Sequence, residues 1–255
     1  MNAGNELQAI YIMWLRQLKR FFRSKSRLVA TIVQPLFFLF ILGSGFRNAM
    51  IPGMEGTDFM HFLVPGIITM AILFSSMFTG LSVLWDRQFG FLQEVLVAPI
   101  SRFSIIVGRT MGGATTALLQ GFIILFIAIG LGISIVSAPG LLLTILFMIF
   151  IAFTAVGFGL LVASKMENME GFGLIMNILI LPLLFLSSAF FPVAANPLLK
   201  SIAMVNPLFY MVDGLRGSLL GVDNLYPPLL DLGIVVCVSL LMMGIGTYLF
   251  NKSEA

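Results

Sequence analysis

Uncharged apolar blocks alternate with short polar segments along all 255 residues of this chain. Residues 28–46 carry no charge over 19 positions. At about 1.5 Å of rise per residue, such a helix just crosses a hydrocarbon core of about 30 Å. Residues 62–84 form a second block, and Pro35 and Pro65, each near one end of its block, predict local kinks. The 55 uncharged residues from Thr110 to Ser164 are too many for one span, and the polar, glycine-bearing stretch 130–140 divides them into 110–133 and 141–163. Residues 171–191, interrupted by Pro182, and 232–251 complete the pattern. The expected fold is all-α and polytopic, with a single six-span domain over 28–255.

Two segments depart from that rhythm. In residues 6–23, Leu7, Ile10, Tyr11, Trp14, Leu18, Phe21 and Phe22 recur at intervals of three and four, whereas Arg16, Lys19, Arg20 and Arg23 fall largely on the other side. Residues 1–27 therefore read either as an amphipathic helix lying in the membrane interface or as a plain basic flank. Residues 201–222 mix apolar positions with Asn206, Pro207, Tyr210, Asp213 and Arg216. This stretch suits a pair of short helices dipping into the bilayer from one face, or else an ordinary loop. Asp213 and Arg216, three apart, would pair on one helix face.

Charge changes the picture by giving the spans a direction. Of the 14 lysines and arginines, 11 fall on one side of the six-span arrangement, the side that holds both termini. By the positive-inside bias that side is cytoplasmic, and the chain is expected in the cell membrane against anionic lipid. The net charge of +3 follows this placement and, with no array of aromatic and basic residues on a soluble scaffold, does not point to nucleic acid. The first apolar block is as long as a span and has no marked cleavage site after it, so the N-terminal segment is expected to be retained. One cysteine, Cys237, allows no intrachain disulfide.

Candidate chemistry is sparse. His61 is the only histidine, which excludes a histidine metal cluster, and it suits an interface position. No expected span interior holds an ionisable residue, against an ion relay. The G-x-x-x-x-G-K-[ST] phosphate loop is absent, so any active transport needs an engine in another subunit. The segment 86–109 is the natural handle for one. Phe89, Leu92, Val95 and Leu96 recur at helical spacing there, Arg87, Glu94 and Arg102 supply polar contacts, Pro99 ends the helix, and Ser101 is a candidate N-cap. An inert connector has no need to be half apolar. Small residues at Gly108 and Gly112, and at Gly157, Gly244 and Gly246, suit close helix contacts. A secondary transporter or channel, and a membrane scaffold that moves nothing, are the competing classes.

The stretch FLQEVLVAPISR (91–102), followed by NPLFYMVDGLRGSLLG (206–221) before the last block, resembles the permease subunit of ABC exporters of the ABC-2 family. The first resembles that family's E-x-L-x-x-x-P-x-S/T segment at Glu94, Leu96, Pro99 and Ser101, with two residues rather than three between Leu96 and Pro99. The resemblance covers nearly the whole chain. It implies a subunit that is not itself an enzyme and binds no cofactor, a dimer with a second permease copy, and two separate ATPase subunits holding ATP and Mg²⁺. It further implies ATPase contacts through the N-terminal helix bearing Trp14, Arg16, Arg20 and Arg23, and through Arg87, Phe91, Leu92, Glu94, Pro99 and Arg102. The region of Asn206, Pro207, Tyr210, Asp213 and Arg216 would be a re-entrant pair closing the outer side. The short outer loops resemble the drug and oligosaccharide branch of the family.

Overall fold

The computed structural model describes residues 3–46, 58–91, 100–193 and 196–253. Among these residues the chain is helical, without strands: α1 (Ala3–Arg23), α2 (Lys25–Gly45), α3 (Phe59–Gln88), α4 (Arg102–Gly130), α5 (Ala138–Lys165), α6 (Met169–Phe185), α7 (Pro197–Val205), α8 (Pro207–Leu219) and α9 (Pro228–Ser253). Helix starts are set by short polar side chains that take up otherwise unpaired amides. Asp58 accepts from the Met60 N–H, Ser101 from Ser104, Ser137 from Gly140, Asn168 from Gly171, and Asn196 and Asn206 each from the second residue beyond. Pro197 and Pro207 occupy the first helical positions of α7 and α8, where a missing N–H costs nothing.

Among the described residues, five helices are long and apolar enough to cross a membrane: Leu28–Gly45 within α2, α3, α4, α5, and Pro228–Phe250 within α9. The sixth expected span, 171–191, is α6, apolar but only 17 residues long. The chain leaves helical geometry directly after it, where the Leu186 amide bonds to the Pro182 carbonyl and Ser188 adopts a φ of 63°. The half-apolar stretch after it forms two short helices, α7 and α8, hinged at Asn206.

α3 is the axis of the bundle, packed against α2, α4, α5, α6 and α8. In its most apolar window 78% of residues are buried, against 22% in α2 and α9, which form flanks. The outward faces carry Phe37 and Phe40 of α2, Leu174 and Ile178 of α6, and Leu240 and Leu241 of α9. Without water to drive association in lipid, close contact rests on small residues. A Cβ on Gly246 of α9 would stand 2.5 Å from the Gly157 carbonyl of α5. On α4, a Cβ at Gly108 would meet the Ile10 carbonyl at 2.6 Å, and one at Gly112 would meet Cβ of Gln17 at 2.6 Å. These two glycines are the seat of α1, which lies against α4.

The expected coupling segment 86–109 is shorter as a connector than its charges suggest. α3 continues through Gln88 and α4 begins at Arg102, so both ends of the segment are helical and face the bundle. Leu92, Glu94 and Pro99 lie outside the described residues.

Candidate functional site

The side chains that matter most on the α1 side come from three helices. Asp86, in the last turn of α3, is 2% exposed. Arg16 of α1 reaches it as a fork, Nη1 to Oδ2 at 2.8 Å and Nη2 to Oδ1 at 2.7 Å. Arg109 of α4, 1% exposed, donates from Nη2 to Oδ2 at 2.8 Å, and Arg20 adds a contact at 3.3 Å. A planar guanidinium fork on a carboxylate fixes geometry as well as charge. The carboxylate thus sets the position of α1 relative to α3 and α4 together.

Neighbouring contacts hold the same junction. Gln17 donates to the Ser82 hydroxyl at 3.1 Å, and the Trp14 indole N–H donates to Thr115 Oγ1 at 3.1 Å. At the other end of α1, Glu6 accepts from the Ser101 amide at 3.1 Å and from the Ser101 hydroxyl at 2.7 Å. The Ser104 and Ser101 hydroxyls hold the Glu6 carboxyl below the ordinary glutamate range. α1 is therefore pinned at both ends to the start of α4, the second time through α3.

Among the residues expected to couple to a partner, Arg16, Arg20 and Phe91 come together: the Arg16 guanidinium carbon stands 3.7 Å over the Phe91 ring. Arg87 instead turns to the α5–α6 loop, donating to the Met166 carbonyl at 3.3 Å beside Gln88, which donates to Glu167. Arg102 and Arg23 are exposed. Asp86, Arg109 and Glu6 were not among the expected site residues. The arginine excess around Asp86 was visible in the sequence, but the 70-residue separation of Arg16 from Asp86 gave no reason to join them.

At the opposite end, Asp213 and Arg216 do not form the expected local pair. Asp213 is turned to the loop before α9, accepting from the Leu225 amide at 2.9 Å and the Tyr226 amide at 3.0 Å. Arg216, 1% exposed, reaches the other way, to the Ser188 carbonyl at 2.6 Å and the Phe62 carbonyl at 3.3 Å, with its guanidinium 3.8 Å over the Phe62 ring. Each side chain finds backbone groups of distant segments, Asp213 two amides of the loop before α9 and Arg216 the Ser188 and Phe62 carbonyls, rather than its neighbour on the same helix. Asn206 donates to the Leu183 carbonyl at 2.6 Å, and Tyr210 donates to Met204 and stacks on Tyr226. α8 is thereby fastened to α3, α6 and the start of α9.

Between these ends a crevice of about 350 Å³ opens among α2, α3 and α6. Its walls include Phe74, Phe78 and Phe172, with Thr31, Gln34 and Asn177 as the polar groups. Aromatic walls with a few amides suit an uncharged or amphipathic ligand part.

An all-helical bundle that includes, among the described residues, five helices long and apolar enough to cross a membrane is the architecture of a multi-pass membrane protein. Residues 8–220 match the family described as ABC-2 type transporter, and the chain belongs to that family. It is 27% identical over 253 residues to the inner membrane transport permease YadH of Escherichia coli strain K12, covering 93% of this chain and 96% of that one. It is 32% identical over 216 residues to the transport permease ycf38 of Porphyra purpurea, covering 82% of this chain and 73% of that one. Over 158 residues it is 30% identical to YbhR of Escherichia coli strain K12, named as a multidrug ABC transporter permease, covering 61% of this chain and 43% of that one. The chain is thus a multi-pass membrane permease.

Proposed function

We propose that this permease is the membrane-spanning half of an ATP-driven exporter, worked by two separate ATPase subunits and paired with a second copy of itself. ATP and Mg²⁺ belong to the ATPases. The observation that carries the reading, beside family membership, is the Asp86 cluster. A force applied to α1 or to the connector after α3 reaches α3 and α4 through one buried carboxylate and its arginines. Arg16, Arg20, Phe91 and Glu94 are then the coupling residues, with Leu92 and Pro99 shaping the connector.

α6 serves as the sixth span, since 17 residues lie at the short limit for crossing. Both termini then face the cytoplasm, and α7 and α8 form a re-entrant pair on the outer side. Nucleotide binding biases two packings of the spans, and an amphipathic substrate moves outward through the crevice bounded by α2, α3 and α6.

Reconstitution in vesicles with the cognate ATPase tests this. Export should require the ATPase and ATP, and Glu94→Ala should leave the permease folded while separating hydrolysis from export. Export that persists without any ATPase would falsify the reading.

A further inference from the structure

Three hollows on the α1 side run into one another. A groove of about 650 Å³ along α1 has Ile12 and Leu15 in its wall and Lys19, Arg20 and Arg23 at its rim. A slot of about 140 Å³ shares Arg20 and Ser24 with that groove and is otherwise bounded by Phe78, Leu81, Ser82 and Trp85. Phe78 and Leu81 in turn border the 350 Å³ crevice. A strongly basic mouth therefore passes directly into an apolar, aromatic slot.

The charges at that mouth are not balanced. Among the described residues, the carboxylate that Arg16 and Arg20 meet is Asp86, which leaves a positive surplus there. Lys19 and Arg23 are exposed and make no ion pair among the described residues, so they add to the surplus. A free phosphate or an acidic peptide would use this charge and leave the slot empty. A phospholipid has an anionic head joined to an apolar chain, and the chemistry of its two parts follows the order of the two hollows.

We propose that groove and slot together form a seat for an anionic membrane phospholipid. Its phosphate lies among Lys19, Arg20, Arg23 and the Ser24 hydroxyl, and one acyl chain lies along Phe78, Leu81 and Trp85. The seat is a property of the permease alone, so it stands whether or not the chain is driven by an ATPase.

The test uses the full chain in a non-ionic detergent, titrated with phosphatidylglycerol, with phosphatidylcholine of the same chains, or with inorganic phosphate. Thermal stability and native mass spectrometry are the readouts. Phosphatidylglycerol should bind and raise the midpoint, whereas the other two should not. Lys19→Gln with Arg23→Gln removes two charges outside the Asp86 cluster and should weaken binding about 30-fold without lowering the lipid-free midpoint. Leu81→Ala, a change in the slot away from the phosphate contacts, should weaken retention of the long-chain lipid more than that of a short-chain one. Equal binding of phosphatidylcholine would overturn the proposal, as would a full effect from inorganic phosphate alone. So would unchanged affinity in the double variant, or protection of Lys19 and Arg23 by a partner ATPase with no phosphatidylglycerol bound.

Discussion

Asp86 and Arg109 are separated by 23 positions in the chain and by 2.8 Å in space, and both are all but closed to solvent. The distance is set by the helices that carry them: α3 must run past the end of its apolar block, and α4 must begin before its own. Each charge makes the other tolerable, because an isolated charge at such a site is costly. Their meeting places a charged joint at the α1 end of the bundle.

Asp86→Ala leaves three arginines facing a site that has lost its carboxylate. The expected cost is about 3–5 kcal/mol, the range for removing one partner of a buried pair. Arg16→Ala should cost much less, since the Arg16 side chain is 28% exposed. Midpoints of thermal unfolding in detergent compare the two, and equal midpoints would show that the carboxylate is not the joint.

A larger residue at Gly108 tests the seat of α1. Gly108→Leu must push against the Ile10 carbonyl, which would stand 2.6 Å from its Cβ, and that atom is backbone and cannot swing aside. A loss of about 1–3 kcal/mol is expected from overpacking. Hydrogen exchange should show faster opening in α1 but little change in α5 and α9, and protection of α1 at its original level would contradict the packing.

The Glu6 contact has a defined pH dependence. Its carboxyl is held below the ordinary 4.5 by the hydroxyls of Ser104 and Ser101, so the contact contributes fully above that value and is lost as pH falls below it. Relative to the intrinsic exchange rate at each pH, protection of the Ser101 amide should fall on acidification. In Glu6→Gln this acid step should disappear, and a step that survives in the variant would place its origin elsewhere.

At the far end, Arg216→Met keeps much of the side-chain volume and removes the donors to the Ser188 and Phe62 carbonyls. Leaving a buried acceptor unmet costs about 1–3 kcal/mol. Arg216→Lys retains a charge but not the planar fork and should fall between wild type and Met. Unfolding midpoints in the order wild type, Lys, Met are the expected outcome.

Gly214→Ala in α8 is a sharper test of that end. The added Cβ would stand 2.2 Å from the Phe147 ring and 2.8 Å from Asp231 Cβ, so α8 must shift from α5 and α9 together. About 1–3 kcal/mol should be lost, measurable as a lower midpoint, and an unchanged midpoint would show that these helices yield freely.

The expectation that 62–84 and 141–163 would be helical spans needed only the absence of charge over a bilayer's width, because lipid admits little else. Ser101 as a cap and Asn206 and Pro207 as a break were likewise local matters, decided by which side chain can meet a free amide. The charges behaved differently. Arg16 and Arg20 sit on what reads as the water-facing side of an amphipathic helix, yet they turn inward to Asp86, because that carboxylate, closed off between α3 and α4 beside Arg109, lies within their reach. Asp213 and Arg216 are spaced to pair, yet open amides and carbonyls from distant loops claim both. Sequence by itself determined which stretches must be helical, since that follows from the bilayer and the backbone, but not how far α3 and α4 run past their apolar blocks or that α6 ends at Phe185. Only the tertiary structure decided which charge meets which, because a buried ion takes whatever partner the packing of distant helices brings within reach, and chain separation does not encode that.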